Sequence, residues 1–334
     1  MVEHVEIVSA RGVPSVGREG DERDREARVQ ALYESVEVFL NDKPENTRRT
    51  YRTALRQFFR VVGKEPALVS DVDAVNYKRW LVEDQKYKKN TICTRLAALD
   101  SFFTFLVNRK GSDGRALAQN PFDVVSRKDV RPTPFATAVT VDGSDFKKML
   151  AAVPTDAIGL RDRAVLIFLA WTGRRRAEVA RLRMGDLHLS TAPGERRLYT
   201  VTVKGGQEKK FDLPDEAYEA MREHWTSSGR LQWMRATSPV FGQVGARADV
   251  DQPLEQRTIW VIVKRAAIRA GLDATKIKTH GLRHMFARDL DRAGMRLQDI
   301  KESLGHASAD TTMGYLGALR DPPSLAESLR RVRQ

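Results

Sequence analysis

The chain has 334 residues, with 57 Lys and Arg against 44 Asp and Glu and a formal charge of +13. That length predicts about two domains, and a 41% hydrophobic content excludes wholesale disorder. The longest apolar run, Ala164 to Trp171, is far short of the roughly 20 residues a membrane span needs, and Cys93 alone permits no intrachain disulfide or cysteine metal cluster.

The first residues carry no basic stretch followed by an apolar one, so no secretory signal is expected and the protein is placed in the cytoplasm. The cation surplus points to nucleic acid, because phosphate backbones attract such charge and release counterions to it. Residues 1–26, with Gly12, Pro14, Gly17 and Gly20 and then a mixed-charge run, read as a disordered tail. From Val29 a helical face forms from Leu32, Tyr33, Val36, Phe39 and Leu40, and Asn41 to Pro44 stops it. Thr47 is placed as the cap of a second helix with the apolar stripe Tyr51, Leu55, Phe58 and Val62.

On that second helix Arg48, Arg52, Arg56 and Arg60 recur every four residues with no acid interleaved. Like charges at this spacing repel, and a phosphate backbone would relieve the repulsion. The stripe is therefore read as a DNA contact, against the alternative of a solvated face. Ser70 to Asp73 predicts a capping box for a third helix ending near residues 86–89. A fourth, from Asn90 and Thr91, carries Ile92, Leu96, Leu99, Phe102, Phe103 and Leu106, with Cys93 as packing. Residues 27–127 thus read as a small helical domain, and 128–138, with Pro132 and Pro134, as an interdomain linker.

Beyond the linker the pattern predicts helices over 144–153 and 160–171, then strands over 198–203 and 210–213 joined by a turn at Lys204, Gly205 and Gly206. Helices follow over 214–228, 254–270, 280–293 and 296–304, the last three closed by Gly271, Gly294 and Gly305. The fold class is mainly α, with a small antiparallel sheet in the second domain.

Neither a GxxxxGK[ST] phosphate loop nor a GxSxG elbow occurs, so nucleotide hydrolysis and serine hydrolase chemistry are not indicated. His280 and His284 have the spacing of zinc ligands, but HGLRH lacks the glutamate of HExxH and puts Arg283 beside any metal. No metal and no cofactor is assigned. What remains is a set of cations and imidazoles with one tyrosine: Thr172-Gly173-Arg174-Arg175-Arg176-Ala177-Glu178, Lys204 at a hairpin tip, His280 and Arg283 one helical turn apart, Leu304-Gly305-His306, and Tyr315 nine residues on.

In this order and spacing the set resembles the tyrosine recombinases, or phage-type integrases. The resemblance covers nearly the whole chain from about residue 28. It implies a SAM-like helical core-binding domain and a mixed α/β catalytic domain spanning 139–320. It assigns Arg175, Lys204, His280, Arg283 and His306 to catalysis and Tyr315 as nucleophile, with Glu178 in support. Arg174 departs from the pattern, since an apolar residue is common there, and Gly314 is permissive before the nucleophile.

The chemistry is consistent with that assignment. A tyrosine with a pKa of about 10 is scarcely ionised at neutral pH, so attack on a phosphodiester needs a base and positive surroundings. Arg175 and Arg283 can clamp the oxygens that gain charge in the transition state, as metal ions do elsewhere. Lys204 can protonate the departing 5′ oxygen, His280 exchange a proton with Tyr315, and His306 hydrogen-bond the phosphate. The resemblance implies a covalent 3′-phosphotyrosine and strand exchange without ATP. It also implies double-stranded DNA with inverted half-sites, a dimer per site and a tetramer in synapsis, in association with the nucleoid. Leu325, Leu329 and Val332 form an apolar stripe in residues 321–334, expected to dock on a neighbouring protomer. A type IB topoisomerase and an inert DNA-binding module are the rival readings.

Overall fold

The computed structural model describes residues 19–109, 117–131, 141–189, 195–203, 206–245 and 251–305, with side chains from Gln30 onward. Lys204, His306, Tyr315 and the stripe at residues 321–334 lie outside them. The chain divides into two compact units, Met1–Thr133 and Pro134–Gln334.

The first unit is built from α1 (Glu19–Asn41), α2 (Glu45–Val62), α3 (Asp71–Glu83) and α4 (Lys89–Asn108). Its core is aromatic: Phe39, Phe58, Phe59, Phe102, Phe103 and Phe122 are buried together with Tyr77. Phe58 meets Tyr77 edge-on at 4.9 Å, the favoured geometry for ring quadrupoles. The Ser70 cap of α3 is as expected: its hydroxyl accepts from the Asp73 N–H, and the Asp73 carboxylate accepts from the Ser70 N–H at 2.9 Å.

Five expectations for this unit need correcting. α1 begins at Glu19, so residues 19–26 are helical instead of tail; the run is rich in Glu and Arg, which favour helix without an apolar period. α2 starts after Pro44 with no side-chain cap, which leaves Thr47 inside its first turn. α3 ends at Glu83, short of the predicted 86–89. Residues 128–131, assigned to the linker, pack on the first unit: Val130 is buried in its core, and Lys78 bonds the Ser126 carbonyl and the Asp129 carboxylate. Tyr33, expected in the core, is exposed.

The second unit contains α5 (Gly143–Ala151), α6 (Ala157–Thr172), α7 (Arg176–Arg181), β1 (Leu187–His188), β2 (Leu198–Thr202), β3 (Glu208–Asp212), α8 (Asp215–Ser227), α9 (Gln256–Arg269), α10 (Thr279–Arg292) and α11 (Leu297–Leu304). The sheet is antiparallel in the order β1-β2-β3, with Tyr199 opposite Phe211 and Thr202 opposite Glu208. β3 is an edge strand. The apolar α6 is the hub, buried along Ala164 to Ala170 and packed against α8, α9 and α10. β1 and α7 were not anticipated; both are too short to show a period.

Two histidines of this unit are enclosed. Burial, then the charges of Arg230 and Arg161, pushes His224 down to about 3. Burial, then His280 and Arg283, pushes His284 down to about 4. Both are neutral in the fold, whereas an unfolded imidazole titrates near 6.5. Between those values the unfolded chain binds more protons, so stability present above about pH 6.5 is lost as the pH falls toward 4. Thermal melts from pH 7.5 to 4.5 should show a falling Tm, and His224→Asn should flatten that slope.

Candidate active site and nucleic-acid interface

The site forms where the ends of α6, α10, α11 and the β2–β3 hairpin meet. α6 stops at Gly173, whose φ of +61° lets its N–H reach the Leu169 carbonyl at 3.0 Å. A Cβ at Gly173 would stand 2.5 Å from the Phe286 ring, so the turn into the arginine run requires glycine on both counts.

The next two residues face different surroundings. Arg175, with its side chain one-third exposed, directs Nη1 onto Glu178 Oε1 at 2.8 Å, while Glu178 Oε2 accepts from the Arg175 N–H at 2.9 Å. The buried carboxylate therefore sets both the main chain and the guanidinium of Arg175. Arg174 is buried, its Nε on the Thr172 carbonyl at 3.1 Å, its Nη2 on the Ser303 carbonyl, and its Cζ 3.9 Å above the Phe211 ring.

α10 supplies His280, Arg283 and His284. Arg283 is 1% exposed and donates to the Gly173 carbonyl through Nη1 and to the Leu304 carbonyl through Nη2, each at 2.6 Å. His280 meets the His284 ring edge-on at 4.9 Å. Partial desolvation, then the charges of Arg283, Arg175 and Arg176, holds the His280 pKa down to about 4. The ring keeps an exposed face, where water screens part of that effect, and it is neutral at pH 7. A neutral imidazole among three guanidiniums can accept a proton from a nucleophile while the cations favour anionic oxygen.

Gly305, left-handed at φ +65°, closes α11. A Cβ there would lie 3.0 Å from Val203 Cγ1 and 3.6 Å from Arg174 Nη1. Val203 and Gly305 immediately precede Lys204 and His306 in sequence, so the segments leading to both are packed against each other. Arg175, Glu178, His280 and Arg283 are thus gathered from separated parts of the chain, while Lys204, His306 and Tyr315 lie outside the described residues. Tyr199, a tyrosine of the described residues beside this site, is buried, and burial pushes its hydroxyl up to about 12. That makes it a poor nucleophile.

In the first unit, the α2 stripe divides. Arg48 donates to the Asn41 and Lys43 carbonyls, and Arg52 pairs with both oxygens of Glu37 on α1 at 2.9 and 2.7 Å. Arg56 and Arg60 are exposed, with no ion pair among the described residues. The other side of α2 forms a groove of about 430 Å³ with α4, lined by Arg49, Thr50, Thr53, Asn90, Thr91, Thr94 and Arg95. No acid lines it. Sequence reasoning missed this surface; its signal was Arg49 lying a helical turn from Thr53, facing Asn90 to Arg95 only once the helices pack.

The profile of the phage integrase family matches residues 140–320, and that of the family's SAM-like N-terminal domain matches residues 29–113. Tyrosine recombinase XerC of Pelobacter propionicus is 31% identical over 294 residues, covering 86% of this chain and 89% of its own. Tyrosine recombinase XerD of Shewanella oneidensis is 27% identical over 294 residues, covering 85% and 92%. Among solved structures, XerH recombinase bound to palindromic difH superposes with a TM-score of 0.65 at 19% identity, over 86% of this chain and 80% of that one. The Tn1549 transposon integrase with circular intermediate DNA gives 0.61 at 15% identity, over 91% and 98%.

Gly173→Ala should destabilise the second unit by about 1–3 kcal/mol, from the left-handed backbone and the Phe286 contact. Urea unfolding checks this through a lowered midpoint at unchanged slope.

Proposed function

This chain belongs to the phage integrase family of tyrosine recombinases, and from that premise we propose that it cleaves and rejoins DNA at specific sites through a covalent 3′-phosphotyrosine on Tyr315. The observation that carries the proposal is the convergence of Arg175, His280 and Arg283 at the point where Val203 and Gly305 meet. Those two residues lead directly to Lys204 and His306.

Each step balances. The Tyr315 oxygen forms a bond to phosphorus, its proton passing to neutral His280, and the 5′ oxygen leaves with a proton from Lys204. Arg175, aimed by Glu178, and Arg283 take up charge on the non-bridging oxygens. His306 donates a hydrogen bond to the same phosphate. Because the ester is conserved in the phosphotyrosine, attack by a 5′ hydroxyl of another strand restores a phosphodiester without ATP. Arg283 has one N–H of each Nη on a carbonyl in this structure, and a guanidinium carries five N–H donors, so it can meet phosphate while keeping those bonds.

The first unit is assigned to gripping the duplex and residues 139–320 to catalysis. The α2–α4 groove, with Arg56 and Arg60, supplies phosphate contacts, whereas Arg48 and Arg52 spend their charge within the unit. The partner is double-stranded DNA with inverted half-sites, on which a dimer assembles per site and a tetramer in synapsis. Residues 321–334 are assigned to docking on a neighbouring protomer.

The test uses a library of duplexes with randomised inverted repeats and a nick in the spacer, incubated without metal. Protease-sensitive covalent adducts should form with the unaltered chain and vanish in Tyr315→Phe. Absence of adducts from every duplex would overturn the proposal, and adducts that never join two sites would favour the topoisomerase reading. With the recovered duplex, Arg49→Ala should weaken binding and reduce the salt slope by about one. Arg52→Ala should leave that slope unchanged and lower the melting temperature, as measured by salt titration and thermal melts.

A further inference from the structure

Two buried guanidiniums join the carboxyl ends of α6 and α11 in parallel. The carbonyls of Thr172, Gly173, Ser303 and Leu304 belong to final helical turns, where the helix itself supplies no donors. Arg174 bonds Thr172 and Ser303; Arg283 bonds Gly173 and Leu304. Arg174 is 2% exposed and Arg283 1%, and the carboxylate of the site, Glu178, is already held by Arg175. Their charge is balanced by helix C-terminal carbonyls and, for Arg174, by the face of Phe211. Arg174 also keeps a buried Nη1 with no acceptor among the described residues, beside Gly305.

These contacts overlap only in part. Any shift of Arg283 toward a phosphate would loosen its bonds to Gly173 and Leu304, while the Arg174 bonds to Thr172 and Ser303 would still tie the same two helix ends. The Phe211 contact ties the hairpin to them as well. We propose that Arg174 is a positioning residue for strand cleavage: it holds the ends of α6, α11 and the β2–β3 hairpin together so that Arg283 can present its remaining N–H donors to the scissile phosphate. Its spare Nη1 stands next to Gly305, whose preceding carbonyl Arg283 holds. The proposal rests on the reading of Arg283 as a phosphate clamp.

The test is single-turnover cleavage of the recovered nicked duplex by the full chain, with protein in excess, for Arg174→Leu, Arg174→Lys, Arg283→Lys and the Arg174→Lys/Arg283→Lys pair. The rate constant reports positioning and the amplitude reports the folded fraction. Arg174→Leu should lower the rate constant on the order of 10- to 100-fold with DNA affinity little changed, and Arg174→Lys should recover part of it. If Arg174 acts through Arg283, the double variant should be about as slow as Arg283→Lys alone.

Wild-type rate constants in both Arg174 variants would overturn the proposal, as would strictly additive losses or a fall in amplitude alone. Should Arg174→Leu fail to fold, Arg174→Lys is decisive; should both fail, Arg174 is a folding residue and the proposal falls. A wild-type rate in Arg283→Lys would instead remove the premise that Arg283 meets phosphate, whatever Arg174 does.

Discussion

A helix that ends inside a protein leaves carbonyls that must find donors, and the second unit turns on how two such ends are satisfied. α6 and α11 finish against each other, out of reach of bulk water, and arginine supplies donors that side chains of ordinary length could not. The guanidinium is suited to this because its nitrogens diverge in a plane and can bond two carbonyls from different elements at once. Once the ends are joined, Gly173 and Gly305 have little latitude, and the residues beside them inherit defined positions. Arg175 then needs only Glu178 to aim it.

The first unit solves a different problem. A helical domain of this size has a limited interior, and its core is built from aromatic rings that bury much area per residue. Interlocking edge-to-face rings leave little freedom in how α2 sits on α4, which in turn fixes the polar groove between them. The polar lining of that groove is thus a by-product of how the phenylalanines pack.

Much of this was legible in the sequence, and what escaped did so for physical reasons. Helical periods placed α2, α4 and α8 to α11 within a few residues, because each buries one face. The family order of Arg175, Glu178, His280 and Arg283 anticipated a gathering that the fold makes. The partners of the arginine stripe were not legible because periodicity describes one helix, whereas Glu37, which pairs with Arg52, is fifteen residues away on another. Arg174 and Arg175 are adjacent and identical in type, so no pattern could tell that one is buried and the other turned toward the site. Val130 escaped because a lone valine among charges carries no period, although it anchors the chain to the first core.

The edge strand of the sheet has a consequence for assembly. β3 is short and carries Glu208, Lys209 and Lys210 in succession, with its outer rim unpaired by β1 or β2. A second copy adding itself antiparallel about Lys210 would set lysine against lysine and Glu208 against Asp212 across the new ladder, like-charge pairs that disfavour the pairing. The hairpin therefore resists being zipped into a neighbour's sheet and stays committed to its own helix ends.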